Sequence, residues 1–162
     1  MKGIYVSLLA LVALCAPAMS QDKQSQEFIR EAIEGNYAEV EMGKLAQQKG
    51  SSEGVKSFGA TLVTDHGNAN QKAMDVAKKI GVTPPTGPNE KQKADHDKLA
   101  KMSGREFDKS FAEAMVQDHK EDISEYEKAS RLPAPVGEFA KEGLPILQRH
   151  LQIAEDLQKK AR

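Results

Sequence analysis

The chain has little of what the commonest chemistries require. Among 162 residues there is one cysteine and no tryptophan, and aromatics make up 5%. A single cysteine excludes an internal disulfide and any cysteine-rich metal cluster. Basic and acidic residues nearly cancel, 23 against 24, so the basic excess of a nucleic-acid binder is missing. Aromatics do not interleave with basic residues as they do in single-strand binders. Nucleic acid is therefore excluded as a main partner. There is no phosphate-cradling Gly-x-x-x-x-Gly-Lys-Ser/Thr, no His-Glu-x-x-His and no Gly-x-Ser-x-Gly. An enzyme is thus not the first reading, and no protein partner is indicated.

What is present begins with a leader. Met1-Lys2 is a short positive start, and Ile4 to Cys15 is apolar but too short for a membrane span of about 20 residues. Small residues at Ala18 and Ser20 fit an A-x-A-like cleavage site. Residues 1–20 read as a secretory signal peptide cut before Gln21, with a cut after Ala18 as the alternative. Leu14 before Cys15 argues against a lipoprotein, whose modified Cys follows a small residue. The mature chain, residues 21–162, is then a single exported domain, periplasmic or secreted. It has no cysteine and no later apolar run long enough to span a bilayer.

The mature chain reads as helix almost throughout, because Leu, Ala, Lys, Glu and Gln dominate and nothing alternates like a half-buried strand. Apolar residues recur at spacings of three and four. The first helix is expected over about Lys23–Lys49, with stripe Phe28, Ala32, Gly35/Asn36, Glu39, Met42 and Ala46. Ser51 or Ser52 can cap a second over Glu53–Ile80, with stripe Val55, Gly59, Leu62, His66, Ala69, Ala73, Val76 and Ile80. Gly81 suits the C′ position, and Pro84 to Pro88 is a loop. A short polar helix, about Asn89–Met102, precedes a third long one over Arg105–Ser130 and a fourth over Val136–Lys160. Pro145 is expected to kink or split the last. Four long amphipathic helices and one short connecting helix make an all-α four-helix bundle.

Chemistry could live in the histidines. His66, His119 and His150 fall on the apolar stripes of three helices, and Glu39 on that of the fourth. At about 1.5 Å per residue, Glu39 and His66 lie about 18 and 22 Å from the turn near residue 51. His119 and His150 lie about 21 and 26 Å from the turn near residue 133. All four fall near mid-bundle. Three imidazoles and a carboxylate at one depth form a candidate site for one divalent transition metal, copper, zinc or iron. The alternative is a metal-free hydrogen-bonded core network in which Glu39 accepts from imidazole N–H groups, since a buried carboxylate needs a partner. Asp65 and Asp118, each preceding a His, sit about 100° from it on the helix. They either orient a His of another helix or, as the plainer reading, face solvent or a lysine. His96, within Asp95-His96-Asp97-Lys98, reads as surface. Met42 and Met115 would suit copper beside His, but core filling is their ordinary use.

Several ordered pieces carry a resemblance. They are Asn36-Tyr37-Ala38-Glu39, Val63-Thr64-Asp65-His66, Gly104-Arg105-Glu106-Phe107-Asp108, His119 and Leu144-Pro145-Ile146-Leu147-Gln148-Arg149-His150. In this order the chain resembles the exported bacterial family called domain of unknown function 4142, placed among ferritin-like bundles. The resemblance implies a ferritin-like four-helix bundle, export, and a Glu with three His; it implies no activity. Di-iron bundles use Glu-x-x-His on two helices, whereas Val63, Val116 and Leu147 stand three residues before the histidines here. Ferroxidase chemistry is disfavoured on that count. The overall reading is an exported bundle holding one metal ion, the alternative being a structural or stress-related envelope bundle with a metal-free His/Glu core.

Overall fold

The computed structural model describes residues 16–161, with side chains from Asp22 onward. The first fifteen residues, the bulk of the expected leader, lie outside the described residues. The helices are α1 (Ala16–Lys49), α2 (Glu53–Lys79), α3 (Glu90–Ala100), α4 (Gly104–Ala129) and α5 (Val136–Lys160). The fold is an all-helical bundle, four long helices with the short α3 in the connection.

Local chemistry sets the helix ends. The side chain of Ser52 caps α2 by accepting from the Val55 N–H at 3.3 Å. The carboxylate of Asp108 on α4 accepts from Ser51 N–H at 2.8 Å, from the Ser51 hydroxyl at 2.8 Å and from Ser52 N–H at 2.9 Å. Burial alone would raise the pKa of Asp108, but these bonds outweigh it and hold the carboxyl below its usual value. The α1–α2 turn is thereby tied to α4. Gly81 ends α2 with φ of 72°, a left-handed conformation that favours glycine. Asn89 and Gln92 form a capping box on α3.

Two hairpins, α1 with α2 and α4 with α5, pack through α2 against α5 and α1 against α4, while α3 lies mainly on α1. The α1–α2 approach is close because both crossing residues are glycine. A Cβ on Gly43 would stand 2.5 Å from the Gly59 carbonyl oxygen, and one on Gly59 would stand 2.6 Å from that of Gly43.

Apolar residues form two core clusters. One holds Phe28, Ile29, Ile33, Tyr126, Phe139 and Leu147; the other holds Met42, Phe58, Leu62, Phe107, Phe111 and Met115. The stripes expected on the first two long helices are largely buried, though Gly35, Ala69 and Ile80 are only partly so. Ile29, Ile33, Phe58 and Phe139 are buried beside the stripes rather than on them.

Two elements differ from expectation. The first helix begins at Ala16, not near Lys23, and so runs through the expected cleavage site. The last helix is not split, because Pro145 lies within α5 as one continuous element. Pro145 and Lys141, whose carbonyl loses its helical partner, are both exposed, so water can satisfy the freed acceptor.

Candidate metal centre

Three helices each deliver one imidazole to the middle of the bundle: His66 from α2, His119 from α4 and His150 from α5. All three are buried, at 4%, 0% and 0% exposure, and together they could hold a metal ion. Their ring centroids form a triangle with sides of 5.8, 5.3 and 5.3 Å. One ring nitrogen from each lies within 4.8 Å of the other two. Phe58 closes one side, its ring 5.9 Å from that of His150 and 6.3 Å from that of His119.

The decisive detail is where the protons go. His119 Nδ1 stands 2.9 Å from the Met115 carbonyl oxygen and 3.8 Å from Glu39 Oε1, two acceptors, so it carries the proton and donates to Met115. His66 Nδ1 donates to Asn36 Oδ1 at 2.9 Å. His150 Nε2 donates to Asp65 Oδ2 at 2.9 Å, and Arg149 donates to the same carboxylate oxygen at 2.6 Å. In each neutral ring the other nitrogen is then a bare lone pair. Those are His66 Nε2, which has no hydrogen-bond partner, and the facing pair His119 Nε2 and His150 Nδ1, 3.3 Å apart. Two lone pairs at that distance repel unless a proton or a cation stands between them. Burial opposes the proton: it lowers the pKa of all three, that of His119 to about 4 and that of His66 well below the usual value. For His150, Asp65 partly offsets the effect.

The separation also suits a metal. Zinc–nitrogen bonds of about 2.0–2.1 Å in a tetrahedron place neighbouring ligand atoms about 3.3 Å apart. The His119–His150 pair already has that spacing, and His66 must close by at most a further ångström or two. Outer N–H groups held by an amide, a carbonyl and a carboxylate are the support that metal-ligating histidines use to fix ring orientation and tautomer.

Glu39 is placed differently from the histidines. It is 6% exposed, but its Oε1 faces Nδ1 of His119, the nitrogen turned away from the other rings, and its Oε2 has no partner. It lines a separate pocket of about 240 Å³ together with Asp118, Glu121 and Asp122 of α4 and Lys91 and Asp95 of α3. Burial, then Asp122 and Asp118, raises its pKa well above the usual value. Asp65 takes the orienting role that its position before His66 allowed, but toward His150; Asp118 instead borders the acidic pocket. His96 is partly exposed beside Asp97, and Met42 and Met115 are core residues, Met115 also supplying its carbonyl to His119. Neither Asn36 as a partner of His66 nor Arg149 as a partner of Asp65 follows from the sequence pattern alone; the available signal is that Asn36 lies one helical turn before Glu39 on the same stripe.

The family model described as "Domain of unknown function (DUF4142)" matches residues 11–157. The chain belongs to this family. No curated protein is significantly similar to this DUF4142 chain in sequence. Among solved structures, its fold is similar to the "Crystal structure of DUF305 fragment from Deinococcus radiodurans", with a TM-score of 0.75 and 10% identity. That match covers 85% of the DUF4142 chain and 96% of the other. At such identity the likeness concerns the fold alone. Among the described residues, no helix is long and apolar enough to cross a membrane.

Proposed function

We propose that this protein is an exported helical bundle that binds one divalent transition metal ion through His66 Nε2, His119 Nε2 and His150 Nδ1. The observation that carries this reading is the set of three inward nitrogens whose rings have already committed their protons outward. Neutral imidazoles suit zinc, copper and iron alike, and three protein nitrogens leave a fourth position for another ligand. The competing metal-free network requires Glu39 to accept from imidazole N–H groups. Its nearest one is 3.8 Å away and already donates to Met115.

Calorimetric titration with zinc and with copper tests the proposal. Wild type should give saturable one-to-one heat, and His66→Ala should abolish it. Added metal should also raise the wild-type thermal midpoint by mass action. Absence of saturable heat in the wild type defeats the metal reading.

Export rests on the leader-like residues 1–20. Mass spectrometry of protein recovered outside the cytoplasm should show an N-terminus at Gln21 or Met19. A retained Met1 or a lipid on Cys15 contradicts it.

A further inference from the structure

A cleft of about 460 Å³ opens between α2 and α5 and runs inward to Asn36 and His66. Its size falls within the range of about 300–1,000 Å³ typical of small-molecule sites. Its walls are mostly apolar, formed by Tyr126, Phe139, Ile146 and Leu147; Asn68 and the Asp65 carboxylate also line it, Asp65 being engaged by Arg149 and His150. The space exists because short residues face it. Ala69 lines the α2 side, and on α5 Gly143 lets the Tyr126 ring lie flush, since a Cβ there would stand 2.6 Å from that ring. The inner end is polar and unsatisfied. Asn36 is 3% and His66 4% exposed, and neither Asn36 Nδ2 nor His66 Nε2 has a partner. A buried donor without an acceptor is costly, so the site asks for a molecule that supplies one. The mouth carries Lys72 and Glu142, paired at 2.9 Å across α2 and α5, both 63% exposed. Pairs this exposed contribute little and open readily.

We infer that this cleft binds a small monocarboxylate with an apolar body, its carboxylate accepting from Asn36 Nδ2 and filling the open position of the metal held by the three histidines. The inference rests on the metal reading above, because three neutral imidazoles alone offer an anion no positive charge. The ion supplies that charge, the aromatic and aliphatic walls take the hydrocarbon, and Asn36 fixes the head. The cleft thereby selects against bare small anions, which gain nothing from its walls.

Cobalt-loaded protein tests it, with hexanoate as probe and acetate as the control that has the head but no body. Hexanoate should perturb the visible cobalt spectrum saturably, with an affinity at least tenfold above that of acetate. Ala69→Leu, which fills the cleft and replaces none of the three histidines, should bind cobalt one-to-one as before but lose hexanoate at least tenfold. Ile146→Ala, which only removes wall contact, should weaken hexanoate severalfold. Cobalt uptake with equal responses to hexanoate and acetate overturns the cleft inference alone, as does an Ala69→Leu protein that binds cobalt and hexanoate like wild type. Failure of cobalt to bind at all overturns both readings.

Discussion

His119 stands between two polar regions that handle burial in opposite ways. On its Nε2 side, every outward N–H of three imidazoles is matched to an acceptor, Asn36, the Met115 carbonyl or Asp65, and what is left open is the inward lone pairs and the Asn36 Nδ2. On its Nδ1 side, Glu39 is buried with one oxygen unpartnered, beside Asp118, Glu121 and Asp122. Burial and mutual repulsion raise Asp118 to about 6 and Asp122 to about 7. The first region has its surroundings in place before any ligand arrives. The second is a collection of like charges that protonation relieves. Burying polar groups does not by itself favour a metal; supporting hydrogen bonds aimed away from a common point are what ligating histidines use.

The contrast is broken most severely by removing one of the three proposed ligands. His119→Ala should weaken zinc binding by more than about 100-fold, beyond the 10–100-fold expected for loss of a supporting group. Isothermal calorimetry reads this directly. Next come the two halves of the core. Leu62→Ala, at 0% exposure in the cluster with Phe58, and Leu147→Ala, at 4% in the cluster with Tyr126, should each cost about 2–5 kcal/mol in denaturant unfolding. An unchanged midpoint for both would mean that these residues do not carry the core.

A sharper comparison sets Asp65 against Glu39. Asp65→Asn keeps the shape but loosens its hold on the His150 N–H, and should weaken zinc about 10–100-fold. Glu39→Gln should change zinc affinity less than about threefold, as Glu39 lies behind His119 rather than among the inner nitrogens. A 100-fold loss in Glu39→Gln would restore the carboxylate to the ligand set.

The smallest effect is one of pH. Asp122 on α4 faces Asp118, Glu121 and Glu125 of its own helix, with Glu39 of α1 and Lys91 and Asp95 of α3 around the same pocket. Its folded pKa, about 7, lies above the ordinary 3.8. The folded chain therefore holds a proton that the unfolded chain has lost between those values. The stability this gives is complete below about pH 4 and is lost as pH rises through 7. Asp122→Asn should match wild type only near pH 4, gain on it progressively up to pH 7, and be more stable at pH 8 by at least about 1 kcal/mol, read as thermal midpoints. The histidines act in the opposite sense, since lowered pKa values cost stability as pH falls from 6.5 toward 4. Equal slopes in both proteins would show that Asp122 is not buried at a cost.

Much of this was legible in the sequence, for identifiable reasons. Spacings of three and four located the four long helices and the depth of the histidines, because rise per residue is fixed. A narrow stripe understated the core: Phe58 and Ile33 sit beside it, and a helix packed on two neighbours buries a wider face. Depth along a helix does not say toward which neighbour a side chain turns, which is why Glu39 shared the level of the histidines but not their centre. Asn36 escaped notice because a neutral amide carries no charge signal. The extra turns at the start of α1 carry the small residues of a cleavage site, a signal that competes with helix periodicity over the same stretch.

The central claim is that three imidazoles point bare nitrogens at one point, with their protons held outward. Nitrogen-15 NMR of the imidazole rings tests it directly, following all six nitrogens as zinc is added at pH 7. The expected result is Nδ1–H at His66 and His119 and Nε2–H at His150, with one equivalent of zinc shifting His66 Nε2, His119 Nε2 and His150 Nδ1 together while those protons stay. Zinc that leaves all six resonances unmoved, or that displaces the outward protons, would contradict it.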